Sequence, residues 1–186
     1  MKTLSLLLIL LATVAASAQT AKAPATLEVT PTMIMASNTS TQEIIAVVIR
    51  SPRAGGGGWS GVISHDFYFK HGITPTEAIA VDAHDDGRTY TSAELLFVQF
   101  ADGSIWGDSK LAVDLLAQRK PQKAFLERVL LAYQSQGEQA FVDQLQQEKQ
   151  FLGLTARLLG VQRQAGTQAA VDVVKERLAA ADSRRF

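Results

Sequence analysis

The sequence predicts an α+β fold: an antiparallel β-sandwich of about seven strands over residues 26–108, followed by three or four α-helices over residues 109–186 that pack on the sheet. Three observations lead there. From Thr26 to Gly107 the apolar residues come in short runs punctuated by Gly, Pro, Asn and Asp, as strands and turns require. After Asp108 they recur at helical spacing. Between those patterns, Ile44–Ile49 and Leu95–Val98 are apolar at both parities, so their sheet has two hydrophobic faces to cover: a second sheet covers one, and the amphipathic helices are the cover for the other.

The chain opens on a targeting signal. Lys2 supplies a positive charge, Leu4 to Leu11 is apolar except for Ser5, and Ala16-Ser17-Ala18 offers the small residues of a cleavage site, which places the cut between Ala18 and Gln19. The apolar stretch is shorter than the roughly 20 residues that cross a hydrocarbon core. Residues 1–18 are therefore expected to be removed, and residues 19–25 to form a linker. With no cysteine in the 186 residues, neither a lipid on the new N-terminus nor a disulfide is available, and the exported product must hold together through its apolar core. Hydrophobic residues make up 47% of the chain, enough for such a core. The expected location is periplasmic or extracellular. In a bacterial source, Asn38-Thr39-Ser40 reads as a turn and not as a glycan acceptor.

Strands are expected over Thr26–Thr30, Met33–Ala36, Glu43–Arg50, Val62–Phe69, Glu77–Asp82, Ser92–Phe100 and Ser104–Trp106. Asp102-Gly103, between Phe100 and Ile105, marks a tight hairpin, because both residues tolerate the positive φ of such turns. In the second half, Leu111 and Leu115 begin the helical pattern; Phe125, Val129 and Tyr133, then Phe141, Leu145 and Leu152, then Ala170, Val173, Val174 and Leu178 continue it. Asp108 is placed to cap the first helix, Pro121 suits a first turn, Gly137 and Gly166 break the chain, and Thr167 is placed to cap the last helix. The stripe Phe141, Leu145, Leu152, Leu159 is interrupted by Glu148 and Thr155. It predicts burial against the rest of the chain or a second copy, not a coiled coil. If Val129, Tyr133, Phe141 and Leu145 were instead exposed, they would form an apolar groove for lipid or peptide.

The 18 basic and 18 acidic residues cancel, which disfavours nucleic acid and anionic membrane surfaces as partners. Residues 1–105 carry 6 basic and 9 acidic side chains, residues 106–186 carry 12 and 9, and the opposite signs suit halves that meet. Gly56-Gly57-Gly58-Trp59-Ser60-Gly61 contains G-x-G-x-x-G, but strand-like residues follow it where a dinucleotide fold needs a helix N-terminus, so the reading is a hairpin loop. Trp59 on that loop either plugs the end of the sandwich or makes a contact with a ligand or partner. Asp82-Ala83-His84-Asp85-Asp86-Gly87 starts like a calcium loop, yet His84 occupies a ligand place and Ala93 stands where the closing Glu belongs, so it reads as a solvated turn. Of the three histidines, His65 and His71 would lie ~20 Å apart on an extended strand, too far to share an ion. His84 with Asp82, joined by His65 across the sheet, is the remaining transition-metal set. Hydrolase signatures are missing: no G-x-S-x-G, no H-E-x-x-H, and His65 and Asp66 alternate to opposite faces of a strand, so this Asp cannot orient this His toward Ser60.

The segment Phe100-Ala-Asp-Gly-Ser-Ile-Trp-Gly-Asp108 resembles one in uncharacterised exported bacterial proteins with an immunoglobulin-like sandwich. The resemblance covers the strand half, lacks the Cys, Trp, Cys signature of true immunoglobulin domains, and transfers no functional residue. The resulting expectation is an exported, non-enzymatic binding or scaffold module of the bacterial cell envelope, without cofactor and with a protein partner. Its alternative is an envelope metal-binding protein or metal-dependent enzyme using His65, Asp82 and His84.

Overall fold

A computed structural model describes residues 22–54, 60–83 and 89–184. Trp59, the glycines before it, His84 and the cleavage-site residues Ala18 and Gln19 lie outside the described residues. The fold is α+β. Strands β1 (Ala25–Val29), β2 (Met33–Asn38) and β5 (Ala78–Ala83) form one antiparallel sheet in the order β1-β2-β5. The second sheet runs β4-β3-β7-β8, built from β3 (Ile44–Ala54), β4 (Ser60–Asp66), β7 (Glu94–Phe100) and β8 (Ile105–Gly107). A two-residue strand β6 (Thr89–Tyr90) pairs with the far end of β3. Then come a 3₁₀ turn (Ser109–Ala112), a short helix α1 (Val113–Ala117), and four longer helices, α2 (Arg119–Gln136), α3 (Glu138–Gln147), α4 (Leu152–Ala165) and α5 (Thr167–Asp182). Among the described residues, no helix is long and apolar enough to cross a membrane.

Turn chemistry explains most boundaries. Asp102 Oδ1 accepts from the Ser104 backbone N–H at 2.9 Å and from its hydroxyl at 2.6 Å, and Gly103 at φ 90° closes the β7–β8 hairpin. Asp108 caps the 3₁₀ turn by accepting from the Lys110 N–H at 2.9 Å. Just before it, a Cβ at Gly107 would stand 2.1 Å from the Leu96 carbonyl oxygen, so the close approach of β8 to β7 requires glycine. Two expectations need correction. The strand predicted over 62–69 ends at Asp66, because Asp66 Oδ1 accepts from the Tyr68 N–H at 3.0 Å and folds Phe67–Lys70 into a turn. Thr167 does not cap α5: it is the first residue of that helix, makes no capping hydrogen bond, and leaves the cap position to Gly166 at φ 88°.

The two-faced apolar strands divide their side chains between separate cores. Ile44, Val47, Ile49 and Val98 join Ile34, Ala36 and Val81 of the other sheet in one core. Facing the other way, Ala46, Val48 and Phe97 pack with Ala112, and Leu115 and Leu116 lie against them. Ile45, Tyr68 and Phe69 belong to the core that contains Phe125, Leu126, Val129, Phe141, Leu145, Leu158 and Val174. Strict alternation would not sort them so. Register shifts between Ile44 and Ala46 and between Val48 and Ile49 are bulges in the β3–β7 pairing, and a bulge lets neighbours such as Ile45 and Ala46 leave the strand on the same side.

Among the described residues, ion pairs join the strand half to the helical half at two points. Arg119, whose side chain is 1% exposed, holds Asp66 with two parallel bonds (Nε to Oδ2 2.9 Å, Nη2 to Oδ1 2.8 Å), donates to Gln99 Oε1 at 2.6 Å, and lies 4.5 Å over the Tyr68 ring. Arg184, beyond α5, donates to the Phe67 and Tyr68 carbonyls and pairs with Glu43 at 2.7 Å. Between them, the Tyr68 hydroxyl donates to the Ala181 carbonyl at 3.0 Å.

Candidate functional site

Both arginines grip the turn after β4, and that turn carries the most distinctive chemistry among the described residues. Anchored at Asp66, it buries Phe67, Tyr68 and Phe69 and returns through Ile73, which bridges to Ile44. Gly72 lies so close to β3 that a Cβ would stand 2.4 Å from the Ile44 carbonyl oxygen, and its N–H donates to Glu43 at 2.9 Å. The backbone path is therefore set from both ends. It directs Lys70 and His71 toward α4 and α5.

There they border a cavity of about 240 Å³. On α5 the lining residues Val173, Glu176, Arg177 and Ala180 follow the i, i+3, i+4, i+7 spacing of one helix face, and Arg157 reaches in from α4. Phe69, Val173 and Ala180 supply apolar wall; Lys70, Arg157 and Arg177 supply charge. Burial lowers the Lys70 pKa from its ordinary value, and the positive charges of Arg177 and Arg157 lower it further. Arg177 is likewise lowered by burial first and then by Arg157. The carboxylate that raises Lys70 is Asp66, which is already committed to Arg119. Lys70 also lies 4.8 Å over the Phe67 ring. No carboxylate among the described residues lies within ion-pair distance of Lys70, Arg157 or Arg177, so three cations that repel one another share one opening. His71 sits exposed at the rim, its Nε2 3.3 Å from Glu77 Oε2.

Of the metal set drawn from sequence, two members come near each other. His65 lies opposite Val47 on β4, half-buried, its ring stacked on Phe67 with centroids 6.1 Å apart. Asp82 on β5 accepts from the Tyr90 hydroxyl. Burial lowers the His65 pKa, Lys70 lowers it further, and Asp82 partly opposes both. His84 lies outside the described residues, and among those described no three His, Cys, Asp or Glu side chains converge as metal ligands. His71 is on the rim of the cationic cavity, apart from this pair. The calcium-like loop beyond Asp82 also falls outside the described residues, and Asp82 itself is engaged by Tyr90. His65 and Asp66 do part to opposite faces: their β3 partners, Val47 and Ala46, belong to different cores. Val129, Phe141 and Leu145 are buried, so the groove imagined from them and Tyr133 is not an open surface; Tyr133 packs edge-on against Phe141 and donates to Gln168 at 2.9 Å.

Three roles were not legible in the sequence. Asn38 is buried, with Nδ2 donating to the Gln42 and Ile73 carbonyls and Oδ1 accepting from Ser40, so its amide is fully engaged inside the fold. Arg119 was one basic residue among many at a helix start. Arg157 and Arg177 carry a faint signal: each interrupts an otherwise apolar and small-residue helix face, and Arg177 stands four residues from Val173.

The lowered His65 pKa has a testable consequence. The unfolded chain takes up a proton near the ordinary 6.5, and the folded chain resists until lower pH, so stability present above 6.5 is lost as pH falls below it. Unfolding titrations between pH 7 and pH 5 are expected to show a steeper loss for the natural chain than for His65→Gln. Equal slopes would mean that His65 is solvated.

Compared with protein-family models, curated proteins and solved structures, the chain matches none.

Proposed function

We propose that the chain is an exported, non-enzymatic binding module of the bacterial cell envelope: an immunoglobulin-like sandwich whose outer sheet face is roofed by helices, with its binding site where turn and helices meet. The strand order supports the sandwich reading, since β1-β2-β5 opposite β4-β3-β7-β8 corresponds to the A-B-E and C′-C-F-G pairings of that architecture. Residues 1–18 support export. The observation that carries the binding role is the cavity lined by Lys70, Arg157 and Arg177, none of which has a carboxylate in ion-pair distance among the described residues. Grouping like charges costs stability, and a bound anion repays it.

The test uses the mature chain, residues 19–186. A fragment ending at Asp108 is unsuitable, because it strips Ile45, Tyr68 and Phe69 of the helical side chains in their core. Small organic phosphates, sulfonates and carboxylates are screened by thermal shift against neutral compounds of similar size. At about a hundredfold excess over Kd, a binding anion is expected to raise the melting temperature by about 5–10 °C. An Arg157→Glu, Arg177→Glu double variant is expected to show no rise. If no anion shifts the natural chain, or if the variant responds equally, the binding reading fails. A rise with zinc or nickel that His65→Gln removes would instead favour the metal reading at His65, Asp82 and His84.

A further inference from the structure

We infer that the cavity between the Phe67–Ile73 turn and helices α4 and α5 receives a phosphate monoester attached to a short apolar stem. This rests on the binding reading above and specifies its ligand. Arg157, Arg177 and Lys70 line one cavity of about 240 Å³. A carboxylate offers one negative charge and two oxygens to three cations. A phosphate monoester offers nearly two charges and three terminal oxygens, and its geometry matches the planar donor fork of arginine, so it can engage both guanidinium groups while Lys70 adds a point charge.

The remaining wall selects the rest of the molecule. Phe69, Val173 and Ala180 offer apolar surface beside the charges, and a free inorganic phosphate would leave that surface wet. Glu176 also borders the cavity and is exposed, so the lining holds three cationic side chains against one carboxylate. Its carboxylate at the edge disfavours ligands that carry a second anionic group at the mouth. A phosphate on such a stem is found both on soluble esters and on lipid headgroups, and the chemistry at the cavity is the same for both.

The experiment is calorimetric titration of the mature chain with hexyl phosphate, inorganic phosphate, hexanoate and hexanol, and sedimentation with phosphatidylcholine vesicles with and without phosphatidic acid. Hexyl phosphate is expected to bind at least about tenfold more tightly than each of the other three soluble probes. Arg177→Gln is expected to lose at least about tenfold of that affinity. Lys175→Gln, which removes a charge from the same helix but one paired with Asp172 at 3.5 Å, is expected to leave it unchanged. Circular dichroism of each variant checks that it is folded, and Arg177→Lys, which keeps the charge and loses the fork, is expected to bind with intermediate affinity. Sedimentation with phosphatidic acid vesicles that Arg177→Gln abolishes identifies the lipid source; its absence beside tight hexyl phosphate binding identifies the soluble one. Hexanoate binding at this cavity more tightly than hexyl phosphate would overturn the phosphate assignment and leave the binding reading standing. Failure of every anion, or equal loss with Lys175→Gln and Arg177→Gln, would overturn both.

Discussion

Replacing Arg119 by methionine is expected to lower unfolding free energy by about 3–5 kcal/mol, the cost of removing one partner from a buried ion pair. Methionine preserves most of the side-chain volume, so the loss reports on the polar contacts. Those contacts are the two bonds to Asp66, the bond to Gln99 and the stacking on Tyr68. Removing the guanidinium leaves the Asp66 carboxylate with only the Tyr68 N–H of these donors and takes from the buried Gln99 Oε1 its Arg119 donor. The sign of a second change separates this account from simple loss of packing. In Asp66→Asn the oxygen that accepts from the Tyr68 N–H is retained while the charge is gone, so the Arg119→Met, Asp66→Asn double variant is expected to be more stable than Arg119→Met alone. Urea unfolding monitored by fluorescence measures both. A loss below about 1 kcal/mol for Arg119→Met would mean that the pair behaves as an exposed surface bridge and does not secure α2 to the sheet.

Phe97→Ala is expected to cost a similar amount, about 3–5 kcal/mol, for an apolar reason. Phe97 is 0% exposed and packs with Ala46, Val48 and Ala112, with Leu96, Leu115 and Leu116 beside them. The deleted ring leaves a cavity on the side of the sheet away from the other sheet, and backbone strands cannot collapse to fill it. Phe97→Leu fills most of that space and is expected to cost less than half as much. Urea unfolding midpoints check the order. If Phe97→Ala proved nearly neutral, this face would be solvated and the segment from Ala112 to Leu116 would not lie against it.

The two substitutions probe different kinds of information. Phe97 was legible in the sequence as part of Leu95–Val98, apolar at both parities, which already required cover on both faces. Arg119 was not: Asp66 and Arg119 are 53 residues apart, and nothing local marks either as the other's partner. The same holds for the cationic cavity, in which Lys70 comes from the turn after β4 and Arg157 and Arg177 from helices in the other half of the chain. The candidate site read from sequence joined the neighbours Asp82 and His84 to His65 across the sheet. In the fold, Asp82 partly offsets the lowering of the His65 pKa by burial and Lys70, but Asp82 is engaged by Tyr90.

By itself the sequence determined the local elements, because the forces behind them act over a few residues. Alternation and helical spacing placed the strands and helices, Asp102-Gly103 and Asp108 set their turn and cap through hydrogen bonds two residues long, and Gly137 and Gly166 broke the helical run at positive φ. Tertiary structure decided which way the side chains of β3 and β7 point, because bulges at Ile45 and between Val48 and Ile49 arise from the pairing of two strands and leave no mark in either strand alone. It also brought Arg119 to Asp66, whose carboxylate is shared between that arginine and the local turn that ends β4. Charges respond to whatever the folded path brings within a few ångströms of them, and that path is set by the packing of whole elements. Lys70, Arg157 and Arg177 therefore come to line one cavity only when the turn after β4 meets α4 and α5.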